Sequence, residues 1–64
     1  MAVEATTRTI VVTTLDDHVT VIEADAYQWY YEFFLVYTST SMDYFDRDNI
    51  KSIVVDGREV ELPT

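Results

Sequence analysis

No cysteine occurs among the 64 residues, and there is one glycine, one proline, one histidine and one lysine, Lys51. Without cysteine there can be no disulfide and no thiolate metal site. A single histidine rules out a multi-histidine zinc site within one chain. Positive charge is equally scarce: four bases, Arg8, Arg47, Lys51 and Arg58, face twelve acids, for a net charge of -8. Affinity for a phosphate backbone comes from Lys and Arg releasing condensed counterions, so direct nucleic-acid binding is not expected. The same sign disfavours anionic membranes. Long apolar runs are missing as well. The longest uncharged stretch, residues 33–42, is far too short to cross a bilayer and contains several hydroxyls. The first residues carry neither a basic region nor an apolar core of signal-peptide type. The expected location is the cytoplasm, or the host cytoplasm for a viral protein.

Against these absences stands one concentration. Seven of the nine aromatic rings fall within the eleven positions 27–37, Tyr-Gln-Trp-Tyr-Tyr-Glu-Phe-Phe-Leu-Val-Tyr. A domain of about 60 residues buries only about 60% of the surface its unfolded chain exposes. Its net stability is a few kcal/mol unless something reinforces it. With disulfides and thiolate metals excluded, self-association or partner binding is the remaining reinforcement, and the rings supply a surface for it. The excess of acid has three readings: solubility of a small apolar domain, adaptation to high salt, and an acidic surface that docks on a basic partner in imitation of DNA.

The pattern is mainly that of β-strands. Residues 7–15 and 18–24 are rich in β-branched side chains, with Asp16 and Asp17 between them as a two-residue hairpin loop. That register opposes Val12 to Val21 and Thr14 to Val19. One face then holds Ile10, Val12, Val19 and Val21, and the other Val11, Leu15 and Ile22. The aromatic segment reads as a strand whose odd positions, Trp29, Tyr31, Phe33, Leu35 and Tyr37, form an unbroken apolar face, with a possible break near Tyr31 and Glu32. The alternative is α+β, with a helix at about 25–37 capped by Asp25 and burying Tyr27, Tyr30, Tyr31, Phe34 and Leu35. That helix would leave almost no polar face, and aromatic and β-branched residues suit a pleated surface better.

Further along, residues 38–41 form a polar turn, and residues 42–45 a short strand. Asp46 to Asn49 favour local side-chain to backbone bonds and a 3₁₀ turn. A strand resumes over residues 50–55. Asp56-Gly57 is the strongest local signal, a type I′ hairpin turn that opposes Ile53 to Val60 and Lys51 to Leu62. Ile53, Val55, Val60 and Leu62 face inward there, and Pro63 ends the last strand. Residues 1–6 read as a loose arm.

The expected fold is all-β: a small curled antiparallel sheet or small barrel of five to six strands. The pattern Phe45, Asn49-Ile50, Ile53, Val55 is similar to the back half of SH3-like and Sm-like small barrels. The resemblance covers about a dozen residues, and the glycines of Sm motifs are absent, Gly57 being the only one.

Little in the chain points to catalysis. His18 has no identifiable nucleophile or metal partner and reads as an exposed turn residue. Asp43, Asp46, Asp48 and Asn49 are the densest oxygen cluster, but their spacing misses the EF-hand pattern and reads as a solvated turn. No nucleotide-binding loop, nucleophile elbow or metalloprotease motif is present, and neither metal nor cofactor is implied. The expected function is a non-enzymatic interaction module. Its interface candidates are Trp29, Tyr30, Tyr31, Phe33, Phe34 and Tyr37, and its partner is a second copy or another protein. The alternative is an acidic inhibitor or decoy, viral or plasmid-encoded, that presents Asp43, Asp46, Asp48, Glu59 and Glu61 to a basic cleft. A third reading is a small barrel that stacks nucleobases or a ligand on exposed rings.

Overall fold

A computed structural model describes residues 7–62. The N-terminal arm expected at residues 1–6, and Pro63, lie outside the described residues. Seven strands and one 3₁₀ helix follow in order: β1 (Arg8–Thr14), β2 (Val19–Ala24), β3 (Ala26–Tyr30), β4 (Phe33–Tyr37), β5 (Met42–Asp46), the 3₁₀ turn (Arg47–Asn49), β6 (Ile50–Val55) and β7 (Arg58–Val60). They form two antiparallel sheets, one of four strands in the order β2-β1-β6-β7 and one of three in the order β3-β4-β5. No helix among the described residues is long and apolar enough to cross a membrane.

The core lies between the sheets. Ile10 and Val12 of β1, Ile22 and Ala24 of β2, Phe34 and Val36 of β4, and Ile50, Ile53 and Val55 of β6 are buried. Tyr27, Trp29, Phe45, Val60 and Leu62 pack against them, half-buried. On β6 the inward residues Ile50 and Ile53 are three apart, which breaks the two-residue alternation. A register shift explains it: Thr13 faces Ser52 but Thr14 faces Ile50, so Lys51 is passed over and stays exposed.

Several sequence expectations need correction. The first β-hairpin has a three-residue loop, Leu15-Asp16-Asp17. Thr14 N–H donates to His18 O at 3.0 Å, and Asp17 N–H to Thr14 O at 2.9 Å. A two-residue type I′ loop would need positive φ at both aspartates. Here only Asp17 adopts it, at 65°, as in a type I turn closed by a left-handed residue. The register is therefore one residue away from the expected one: Val12 faces Thr20 and Val11 faces Val21. Because side chains alternate, the slip turns all of β2 over. Ile22 and Ala24 go inside, and Val19 and Val21 go outside.

The aromatic segment is not a helix. It is two strands joined at Tyr31-Glu32, the position of the expected break. Nor do its odd positions form one face. The reversal places Trp29 opposite Phe34 and Tyr27 opposite Val36, so the inward parity changes at the turn. Trp29 and Tyr27 stand 5.0 and 5.7 Å from the Phe34 ring, centroid to centroid, in tilted contacts.

The barrel does not close, and the described residues form seven strands rather than five or six. A single residue, Asp25, separates β2 from β3, and its N–H donates to Tyr37 O at 2.8 Å. The chain thus bends from one sheet into the other. Among the described residues β5 pairs only with β4 and β7 only with β6, which leaves both with open edges. With only three residues, β7 is too short to bridge the sheets.

Other expectations hold. The 3₁₀ turn is in place, with Asp46 Oδ1 accepting from Asp48 N–H at 2.9 Å. At the second hairpin Ile53 faces Val60. Asp56 and Gly57 have φ of 51° and 82°, the positive signs a type I′ turn requires. Asp56 also ties this turn to β1: its N–H donates to Thr9 O, and its Oδ1 accepts from Thr9 N–H, both at 2.9 Å.

Candidate protein-docking face

Residues directly opposite one another across a sheet share a face. With Trp29, Tyr27, Phe34, Val36 and Phe45 turned inward, the outer face of the three-stranded sheet is defined row by row. Tyr30, Phe33 and Asp46 form one row, Gln28, Leu35 and Tyr44 the next, and Ala26, Tyr37 and Met42 the third. Six of these nine residues are aromatic or large aliphatic, and Asp46 is the one charged group. Tyr44 is 66% exposed, Tyr30 55% and Met42 50%. Phe33, Leu35 and Tyr37 on the central strand are half-buried.

The face is held in order from within. Phe33 and Tyr44 meet edge to face, with centroids 6.2 Å apart. Gln28 Nε2 donates to the Tyr37 hydroxyl at 2.9 Å. At the tip of the β3–β4 hairpin, Tyr31 is 84% exposed and lies edge-on to Tyr30 at 4.6 Å. Its φ is 56°. A bulky residue in the left-handed region costs about 1–2 kcal/mol relative to ordinary backbone, where glycine would fit without strain. A strained, exposed ring beside an apolar face marks the tip as part of the surface to be explained.

Acid collects at the same end. Carboxylate oxygens of Glu32, Asp46 and Asp48 lie within 4.8 Å of one another, all on exposed residues. The bond from Asp48 N–H gives Asp46 a structural role as cap of the 3₁₀ turn, and the chain is fixed there by Arg47 N–H donating to Glu32 O at 2.7 Å.

The other sequence candidates are dispersed. Phe34 is fully buried at the centre of the core and Trp29 packs against that core, so neither belongs to the outer face. Tyr30, Phe33 and Tyr37 do belong to it, and Tyr31 adjoins it. Asp43 is exposed on the edge strand β5, while Glu59 and Glu61 are exposed at and beyond β7, on the other sheet. The five acids proposed from sequence therefore form no single group; Glu32 joins Asp46 and Asp48 instead. Sequence reasoning missed Met42, Tyr44 and Leu35. For Met42 and Tyr44 the signal was the alternation in Met42-Asp43-Tyr44-Phe45-Asp46, where Met42 and Tyr44 share one phase and Phe45 takes the other.

His18 is exposed, and its backbone closes the first hairpin. Beside it, the Thr14 hydroxyl donates to Asp16 Oδ1. That bond, with a weaker one from His18 N–H, holds the Asp16 carboxyl below its ordinary pKa. No protein-family model matches the chain, and neither the curated proteins nor the solved structures give a match.

Proposed function

We propose that this protein is a non-enzymatic interaction module that self-associates through the outer face of its three-stranded sheet. One observation carries the reading: Tyr30, Phe33, Leu35, Tyr37, Met42 and Tyr44 are contiguous on a face with a single charge. Contiguous exposed apolar surface of this kind marks an interaction site on a small domain. Aromatic side chains are also the usual anchors of protein interfaces. If the occupant is a second copy, charge selects this face for the contact. Each chain carries -8, and two copies repel least where each presents one carboxylate. The expected shape is an opened version of an SH3-like small barrel, supported by the bend at Asp25 between β2 and β3 and by the 3₁₀ turn that precedes β6.

The test is sedimentation velocity at micromolar to roughly 100 μM protein in 0.5 M NaCl, where the Debye length falls below about 8 Å and repulsion is screened. Wild type should form a dimer or larger species, and Tyr44→Ser should remain monomeric. A wild-type monomer throughout this range rejects self-association.

The acidic trio Glu32, Asp46 and Asp48 favours a second reading, in which the same end of the molecule docks on a basic protein. Titration with a lysine-rich peptide should then shift the amide resonances of these three residues at low salt and not at high salt.

A further inference from the structure

Where the two sheets fail to close, their inner faces diverge into a cleft of about 380 Å³ lined by Arg8, Tyr27, Val55, Asp56, Arg58 and Val60. The volume is within the range of small-ligand pockets. Val55 and Val60 form an apolar floor continuous with the core, and the Tyr27 ring belongs to the opposite sheet. The rim is cationic. In a chain with four bases, two of them line this one cleft.

Neither guanidinium is locked in a buried ion pair with a described residue. Arg8 Nη1 meets Asp56 Oδ2 at 3.4 Å, with both side chains about half exposed. Such a pair is worth little and exchanges readily. The other oxygen of Asp56 is already occupied by Thr9 N–H. Arg58 forms no ion pair with any described residue. It faces Val55 across the β6–β7 hairpin, which puts its stem on the side of the floor.

We propose that this cleft binds a carboxylate attached to an apolar body, independently of the outer aromatic face. Arginine's planar fork suits a carboxylate oxygen pair, and the valine floor with the tyrosine ring takes the attached hydrocarbon. A phosphate dianion fits less well, because Asp56 stands in the rim and the whole chain carries -8. Two sources share the favoured chemistry: a free organic acid, and the C-terminal carboxylate of a peptide that ends in an apolar residue.

The experiment is a heteronuclear NMR titration of the full chain with hexanoate, acetyl-Gly-Leu with a free C-terminus, hexanol and inorganic phosphate, each to about 10 mM, enough to reveal a millimolar Kd. Hexanoate or acetyl-Gly-Leu should give saturable shifts at Tyr27, Val55, Val60 and the Arg58 Nε–H. The tighter of the two identifies the source. R58Q should weaken binding about tenfold or more, the usual effect of losing one charged hydrogen bond. R8Q serves as the second variant if the amide spectrum of R58Q is not native. No saturable shift, equal response to hexanol or phosphate, or unchanged affinity in the folded variant overturns the proposal.

Discussion

Phe33 and Phe34 are neighbours in one strand and face opposite ways, so the same substitution at each should have different consequences. Phe34 has no solvent exposure and contacts two rings, at 5.0 and 5.7 Å. Truncating a buried phenylalanine to alanine costs about 3–5 kcal/mol through lost burial and the cavity left behind. At roughly 0.05–0.15 kcal/mol per residue, the whole domain has about 3–10 kcal/mol of stability. Phe34→Ala should therefore remove a large share of it and leave much of the chain unfolded at room temperature. Phe33 is only half-buried and makes one edge contact, with Tyr44 at 6.2 Å. Full burial of such a side chain contributes about 1.5–3 kcal/mol, so Phe33→Ala should cost the isolated chain only about 1 kcal/mol. Its effect should appear in association instead. An aromatic anchor at the centre of an interface contributes about 2 kcal/mol or more, which is roughly 30-fold in Kd.

Urea melts and sedimentation separate the two effects. Because association stabilises the folded form by mass action, melts are needed at several protein concentrations. At the lowest concentration Phe33→Ala should track wild type closely. At the highest it should fall behind, as wild type gains stability and the variant does not. Phe34→Ala should be strongly destabilised at every concentration. Equal destabilisation of the two variants at low concentration would refute the assignment of faces. Unchanged self-association in Phe33→Ala would refute the docking face.

Gly57→Val should cost about 1–3 kcal/mol, the range for backbone strain. A Cβ added there meets nothing within 4 Å, so a lowered urea midpoint would report mainly the φ of 82°, and an unchanged one would count against the type I′ turn. Thr14→Val should raise the Asp16 midpoint in a carboxyl-detected NMR titration, since the Thr14 hydroxyl is the main cause of its depression. A depressed folded pKa stabilises above the ordinary aspartate value and is lost as pH falls through the depressed one. The stability gap between wild type and variant should accordingly narrow in acid, and a constant gap would exclude this linkage. Thermal stability should rise from low to molar NaCl, as screening relieves repulsion among twelve acids, while the exposed ion pairs Arg8–Asp56 and Lys51–Asp17 lose little; a flat or falling melting temperature would contradict this. Gel shifts with duplex and single-stranded probes at about 50 mM salt should show no complex, and a micromolar shift would restore base stacking on the outer rings.

Legibility varied along the chain with how much local chemistry specifies each turn. Asp56-Gly57 carries its own backbone requirement, so β6, β7 and the pairing of Ile53 with Val60 could be read directly. The 3₁₀ turn was equally plain, because Asp46 supplies its own cap. The first hairpin was not, since Asp-Asp fits a two-residue or a three-residue loop and the choice rests on φ at Asp17 alone. That one torsion decided whether Val19 and Val21 or Ile22 and Ala24 entered the core. The turn at Tyr31-Glu32 contains no glycine, asparagine or proline, and a tyrosine at positive φ leaves no compositional trace. Without a fixed turn the parity of the inward residues could not be carried from β3 to β4. The outer face stayed hidden for the same reason, because Tyr44 joins Leu35 and Gln28 only once β5 is registered against β4.

The distribution of the nine rings is the argument for a site rather than a surplus. Phe34, Tyr27, Trp29 and Phe45 build or line the core. Tyr30, Phe33, Tyr37 and Tyr44 all occupy the outer face of one three-stranded sheet, with Tyr31 at its tip. Among the described residues the outer face of the four-stranded sheet has no aromatic ring; its rows run Val21-Val11-Val54-Glu59 and Val19-Thr13-Ser52. Solubility alone would favour the second kind of surface on both sheets, since threonine, serine and valine hold a strand as well as tyrosine does. Rings that overflowed a core too small for them would appear on either sheet. Instead all five external rings gather on one face and its hairpin tip, next to the place where backbone strain is tolerated at Tyr31. A partner that covers this face would bury the rings the core leaves outside, and would supply the reinforcement that a chain without disulfides or thiolate metal sites otherwise lacks.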